Sequence, residues 1–232
     1  TSNDWPGQPG ATFNIQYGYG RPEVLAAMQA VAANRIPPVP DILGPDWYAL
    51  YDPQRTPSVP ISVDIAARRA KSITWRVQYG LGAQPTESQF VTIASGSSTA
   101  HELRGVLAHL DLNRIPRSFW QAPFAYNPNI EQATEQYDVT LRVQATDDRG
   151  NLGEDRRSIS VFHDPTVRHG FPLRLTDGAP LASPELADLE GAGKLDIVFG
   201  DSNGYVHAIN PDTGRELAGW PAHTGPLDLG LA

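Results

Sequence analysis

Two hydrophobic periods run along this chain. Near its start the period is helical: Val24, Leu25, Met28, Val31 and Ala32 fall on one face of a stretch from Pro22 to Ala33. Pro22 suits the first turn, and Glu23 suits the positive end of the helix dipole. Asn34 and then Pro37-Pro38 stop the helix. A helix this apolar needs a body to pack on, and the neighbouring sequence offers none. From residue 58 the period becomes two. Val59, Ile61, Val63 and Ile65 alternate with polar residues. So do Ile73, Trp75, Val77 and Tyr79, and then Tyr137, Val139, Leu141, Val143 and Ala145. Such alternation predicts half-buried strands. Phe90 to Ala94, Leu103 to Leu110 and Arg156 to Phe162 are further candidates, and Asp147-Asp-Arg-Gly150 reads as a turn.

Residues 36–60 are rich in proline. They read as a linker passing into a first edge strand, because proline cannot donate to a central ladder. Trp47, Tyr48 and Tyr51 are too apolar for a free linker and place this part on a domain surface. About seven short strands, with Trp75 expected in the core near the third, predict an immunoglobulin-like or fibronectin-like β-sandwich over 37–165. His163-Asp-Pro165 closes it.

Short apolar runs continue at Leu195 to Phe199, Tyr205 to Ile209 and Arg215 to Ala218. Gly200-Asp-Ser-Asn-Gly204 and Asn210-Pro-Asp-Thr-Gly214 separate them as tight turns. Gly170-Phe-Pro172 recurs as Gly219-Trp-Pro221, 49 residues later, which matches the period of a propeller blade. Residues 166–232 are therefore expected to open a β-propeller. One blade cannot bury both its faces, so the chain is expected to be a piece of a longer protein. The expected fold class is mainly β: a short N-terminal helix, a sandwich, then a first blade.

Composition narrows the function classes. The net charge of −8 argues against a broad basic surface for nucleic acid. No run of 18 apolar residues exists, so no transmembrane helix is expected. The absence of cysteine excludes disulfides and thiolate chemistry. No complete catalytic constellation is present. Asp212-Thr-Gly214 sits in a hairpin turn, where Asp and Gly are the expected residues. His169-Gly170 stands alone, and His101, His109, His163, His207 and His223 lack zinc-site spacing. His207 is expected to face a neighbouring blade or water. Glu131, Glu135, Asp138 and Asp147-Asp148 read as a solvated loop and a turn rather than a glycosidase pair. Glu154 to Arg157 reads as an exposed strand entrance, and Trp220 as packed between blades. Arg117-Ser-Phe-Trp120 is the best candidate for an exposed aromatic that binds a ligand or partner.

The segment Ala187-Asp-Leu-Glu-Gly-Ala-Gly-Lys-Leu-Asp-Ile-Val-Phe-Gly200 resembles the FG-GAP (integrin-type) propeller repeat. In that family a loop of the form Asp-x-Asp-x-Asp-Gly-x-x-Asp often holds calcium. Asp188 matches its first position, Glu190 stands at the second acid and Asp196 at the last, while Ala192 replaces the middle acid. The resemblance implies Asp188, Glu190 and Asp196 as candidate metal ligands and calcium as the candidate cofactor. The residues equally allow a metal-free turn whose Asp side chains bond the backbone. Gly204 to Leu217 is also similar to a quinoprotein-type blade.

Thr1-Ser-Asn-Asp4, Gln16-Tyr-Gly-Tyr-Gly-Arg-Pro22 and the helix through Leu25 to Val31 resemble the end of a subtilisin-like serine protease domain, over residues 1–36. That family's nucleophile lies in Gly-Thr-Ser-x-Ala, a run this chain lacks. The resemblance implies a nucleophile upstream of Thr1, in a parent that cleaves peptide bonds with a Ser–His–Asp triad. It further implies a secreted, modular bacterial protease. The sandwich and propeller would be accessory parts, joined to an upstream catalytic domain and downstream blades. A protein or polysaccharide surface is the expected external partner. Two other classes stay open: a non-enzymatic secreted or cell-surface adhesion module, and a quinoprotein-type propeller enzyme.

Overall fold

The computed structural model describes residues 18, 22–123, 135–168, 170–173, 175, 178–180 and 182–224. The chain divides into two compact units, Thr1–His163 and Asp164–Ala232. Apart from Gly18, the part of the protease resemblance that precedes Pro22 lies outside the described residues, as do His169 and Glu131.

In the first unit, α1 (Val24–Ala32) starts at Glu23, whose carboxylate accepts the N–H groups of Leu25 and Ala26. That satisfies two of the orphan donors of a helix N-terminus. The apolar stripe of α1 faces solvent, with Val24, Leu25, Met28 and Val31 between 54% and 70% exposed. The helix ends at Ala33, and Asn34 follows in the left-handed region at φ 54°.

Eight strands follow. Strands β1 (Val39–Gly44), β3 (Ser58–Ala66) and β6 (Glu102–Asp111) form one sheet in the order β1-β3-β6. Strands β2 (Leu50–Tyr51), β4 (Ile73–Leu81), β5 (Val91–Ser98), β7 (Asp138–Asp147) and β8 (Leu152–Val161) form the other, in the order β2-β8-β7-β4-β5. All pairings are antiparallel except β2 with β8. The architecture is mainly β and sandwich-like. Ile42, Val59, Ile61, Val63, Ile65 and Leu110 from the smaller sheet share one buried core with Ile73, Val77, Val139, Leu141, Val143 and Ile159 from the larger. The alternation read from the sequence is the alternation of burial along β3, where every second residue from Val59 to Ile65 is buried.

Three expectations need correction. The proline-rich stretch does supply an edge strand, but it forms two, β1 and β2, one at the edge of each sheet, where a linker was expected to lead in. Its prolines sit where a missing N–H is tolerated. Asp155 ties it down, accepting the Ile42 N–H at 2.8 Å. Second, Arg117–Trp120 is a short helix, α2, and its Trp120 is buried, donating from Nε1 to the Ile115 carbonyl at 3.1 Å. The ring belongs to the core and is no exposed binding aromatic. Third, β8 begins at Leu152, so Glu154 to Arg157 lies inside the strand rather than at an exposed entrance, and Arg156 is buried.

In the second unit, β9 (Glu185–Ala187), β10 (Asp196–Gly200), β11 (Tyr205–Asn210) and β12 (Arg215–Glu216) form a sheet in the order β12-β11-β10-β9. Strand β13 (Ala222–His223) also pairs with β11. Asp201 builds the β10–β11 turn by accepting the N–H groups of Asn203 and Tyr205, and Gly204 takes φ 81° there. The third apolar run shrinks to two paired residues, and Leu195 is exposed. Gly170 and Gly219, the first residues of the recurring motif, share a left-handed backbone at φ 84° and 87°. No helix among the described residues is long and apolar enough to cross a membrane.

Candidate functional site

Polar residues collect on the outward face of the five-stranded sheet. Strand β7 places Asp138, Thr140, Arg142 and Gln144 there at every second position, and β8 places Glu154, Arg156, Ser158 and Ser160. The register sets Arg142 directly opposite both Gln78 and Arg156. Like charges facing across a ladder repel, so this pair requires carboxylates. Glu154 receives the Arg156 Nε donor at 2.6 Å and lies 3.6 Å from Arg142 Nη1. Glu87 receives Arg142 Nη1 at 2.6 Å, and Gln78 accepts from Arg142 Nε at 3.0 Å. Gln144 donates to Glu154 and accepts from Arg76 at 2.6 Å. The hydrogen bond from Arg142 holds the Glu87 carboxyl below the ordinary value, against the smaller opposing effect of burial. Phe90 roofs this network, so Arg142 is only 1% exposed.

Beyond the network, toward the start of β7, the same face opens into a cleft of about 440 Å³. Trp47 and Tyr48 make one wall. Their rings lie 5.8 Å apart with planes inclined by 43°, and they are 54% and 66% exposed. The segment carrying them is stitched to β8 by main-chain bonds. Tyr48 N–H donates to the Ser158 carbonyl at 2.8 Å, and the Ser160 N–H to the Ala49 carbonyl at 3.0 Å. Arg157 braces the segment from below, donating from Nη1 to the Pro45 carbonyl at 2.9 Å with its Cζ 5.5 Å from the Trp47 ring centre. Tyr48 takes φ 56°, a left-handed conformation that a bulky side chain rarely adopts.

The cleft is lined further by short polar groups: Asp138, Thr140, Ser158 and Ser160. Ser160 Oγ donates to Asp138 Oδ1 at 3.3 Å, and Thr140 Oγ1 to the Gly82 carbonyl at 2.7 Å. Burial pushes the Asp138 carboxyl up; the Glu135 charge adds to this, and the Ser160 hydrogen bond opposes it. Asp138 is therefore a buried strand residue, not part of the solvated loop expected from sequence. Arg156, Arg157 and Glu135 are the other charged residues of the lining among the described residues.

In the second unit, two of the three residues singled out for calcium, Asp188 and Asp196, bond their own backbone. Asp188 accepts the N–H groups of Ala192 and Gly193 at 3.0 and 2.8 Å, and Asp196 accepts that of Leu189 at 3.3 Å. Asp196 is buried while Asp188 and Glu190 are exposed. Ala192 brings no side-chain oxygen, so the loop has three carboxylates and lacks the middle acid of the calcium-binding repeat. Among the described residues no group of three or more His, Asp or Glu is placed to hold a metal ion. His207, expected to face water or a neighbour, is instead buried within its own unit. Its ring stacks on Phe199 at 4.9 Å and lies between Glu216 and Asp201. Asp212 stays in its hairpin turn and meets Arg168 and Lys194.

The sequence placed Trp47 and Tyr48 on a domain surface but did not show what lies beside them. The cleft beside them went unseen because it needs the β7–β8 register. The signal that could have found it is the run of polar residues at every second position in both strands.

No family model matches the chain, and no curated protein matches it. Among solved structures it is similar to the sporulation control protein Spo0M of Bacillus subtilis, at 11% identity over 75% of each chain, with a TM-score of 0.29.

Proposed function

We propose that this chain is a non-catalytic accessory region of a secreted, modular subtilisin-like serine endopeptidase, whose triad lies upstream. The observation that carries this reading is the bare apolar face of α1. Val24, Leu25, Met28 and Val31 stand out in solvent at helical spacing, although burying such side chains is worth about 1.5–3 kcal/mol each. A helix of this kind fits the closing element of a preceding domain, as the protease resemblance implies. The first unit reads as an immunoglobulin-like sandwich. The split of three strands, β1-β3-β6, against five, β2-β8-β7-β4-β5, supports this.

The second unit reads as the first blade of a propeller. Its small antiparallel sheet, its exposed Leu186, Leu189 and Leu195, and the recurring Gly-aromatic-Pro motif support that reading. The role of the chain is spacing and attachment to an extracellular surface.

The test is hydrolysis of a fluorogenic peptide. The chain itself is expected to be inactive. The product of the whole reading frame is expected to cleave the peptide and to be silenced by a serine-directed inhibitor. A whole product without such activity, or a frame lacking Gly-Thr-Ser-x-Ala ahead of Thr1, overturns the proposal in favour of an adhesion module.

A further inference from the structure

We propose that the cleft beside Trp47 and Tyr48 binds a neutral glycan chain. This does not depend on the protease reading, since every residue it uses lies in the sandwich. The first argument is the wall. Two adjacent aromatic rings stand more than half exposed, 5.8 Å apart and inclined by 43°. The C–H faces of pyranose rings stack on the electron-rich faces of Trp and Tyr, and successive sugars in a chain are turned relative to one another. Two tilted platforms suit two successive sugars.

The second argument is strain. Tyr48 sits at φ 56°. For a residue other than glycine this costs about 1–2 kcal/mol. The ring is 66% exposed, so core burial does not offset that cost. What the conformation achieves is presentation of the ring beside Trp47. The main-chain bond from Tyr48 to Ser158 and the Arg157 brace under Pro45 hold it there.

The third argument is the rest of the lining. Half-buried Ser158 and Ser160 offer hydroxyls, with buried Asp138 and Thr140 as the polar floor behind them, the complement of a ligand dense in hydroxyls. Among the described residues the lining charges balance, Arg156 and Arg157 against Glu135 and Asp138, which suits a neutral ligand. The volume, about 440 Å³, falls in the range of small-ligand clefts. Aromatic-lined grooves also receive proline-rich peptides. Such a ligand carries few groups to meet these hydroxyls, and the polar lining decides for the glycan.

The test is affinity electrophoresis of the whole chain through gels containing xylan, galactomannan, β-1,3-glucan, starch or hydroxyethylcellulose. At least one polysaccharide is expected to retard it. Trp47→Ala and Tyr48→Ala are expected to weaken retention by at least about tenfold, and Tyr48→Phe to stay within about threefold of the parent. Tyr48→Gly separates binding from folding: it removes the strain and the ring together, so its thermal midpoint should hold or rise while retention is lost. The proposal is overturned if no polysaccharide retards the chain, or if both alanine variants bind like the parent. A fall in the Tyr48→Gly midpoint, or tighter binding of a decaproline peptide through the same two residues, overturns it as well.

Discussion

The Phe90 ring lies across the guanidinium of Arg142, with Cζ 3.6 Å from the ring centre. The ring, with Glu87 beside it, buries a charge on the outward face of a sheet. A charge so covered persists only if it is paired. Phe90→Ala admits water and removes the cation–π contact, with an expected loss of about 1–2 kcal/mol. Arg142→Met removes the charged hydrogen bonds to Gln78 and Glu87 while Glu154 keeps Arg156 and Glu87 stays in water, with an expected loss of about 1.5–3 kcal/mol. Urea unfolding followed by tryptophan fluorescence measures both. A neutral Arg142→Met would mean that the network contributes nothing to stability.

Gly153 lies under the start of β1. A Cβ built there overlaps the carbonyl oxygen of Pro38, a backbone atom that cannot swing aside. Gly153→Ala is expected to push β1 from its place and to cost about 1–3 kcal/mol. A thermal midpoint equal to the parent's would show that the edge strand gives way freely.

His207 is held between Glu216 Oε1, 2.6 Å from its Nδ1, and Asp201 Oδ2, 3.4 Å from its Nε2. Burial disfavours its charged form, but the bonds and charges of Glu216 and Asp201 outweigh burial and hold the imidazole above its ordinary value of 6.5. The folded state therefore binds this proton more tightly than the unfolded state. Its stabilisation is complete below about pH 6.5 and is lost as pH rises through the higher folded value. Asp201 has the opposite sign. Burial raises its pKa, but the N–H groups of Tyr205 and Asn203, together with His207, outweigh burial and lower it. Its contribution is present above the ordinary 3.8 and is lost as pH falls through the lower folded value. Exchange of the Ala208 and Ile209 amides is expected to accelerate as pH rises above about 6.5, beyond the intrinsic base-catalysed increase. His207→Gln should abolish that excess, and an excess that survives it assigns the effect elsewhere.

Asp188 closes the β9–β10 turn with two backbone bonds. Asp188→Ala is expected to cost about 1 kcal/mol, as removal of a capping carboxylate does. Because the turn is held by its own carboxylates, calcium chloride and a chelator are expected to give the same thermal midpoint. A calcium-dependent rise that disappears when Asp188→Ala and Asp196→Ala are combined would establish the loop as a metal site.

Much of the fold was legible because strands declare themselves locally. Val59 to Ile65 and Val139 to Ala145 alternate in the sequence as they do in space. The failures share one cause. Trp120 looked exposed because it sits among prolines and polar residues, and Ile115, which takes its N–H, lies five positions back across a turn. Arg156 looked exposed because only Glu154, two positions back, pairs with it locally, while Glu87 and the Phe90 ring, which lie against it, come from the segment before β5. The cleft needed the same non-local information.

The sequence by itself determined which segments become strands and which side of each turns inward. Side chains on a strand alternate, and one face of each must leave water. Only the tertiary structure decided what becomes of the other face. On β7 that face is buried along its length, at Arg142 under Phe90 and Glu87, and at Asp138 and Thr140 on the floor of a cleft beside which Trp47 and Tyr48 stand. Whether an outward side chain meets water depends on which distant segment is laid over it, and alternation within a strand carries no record of that.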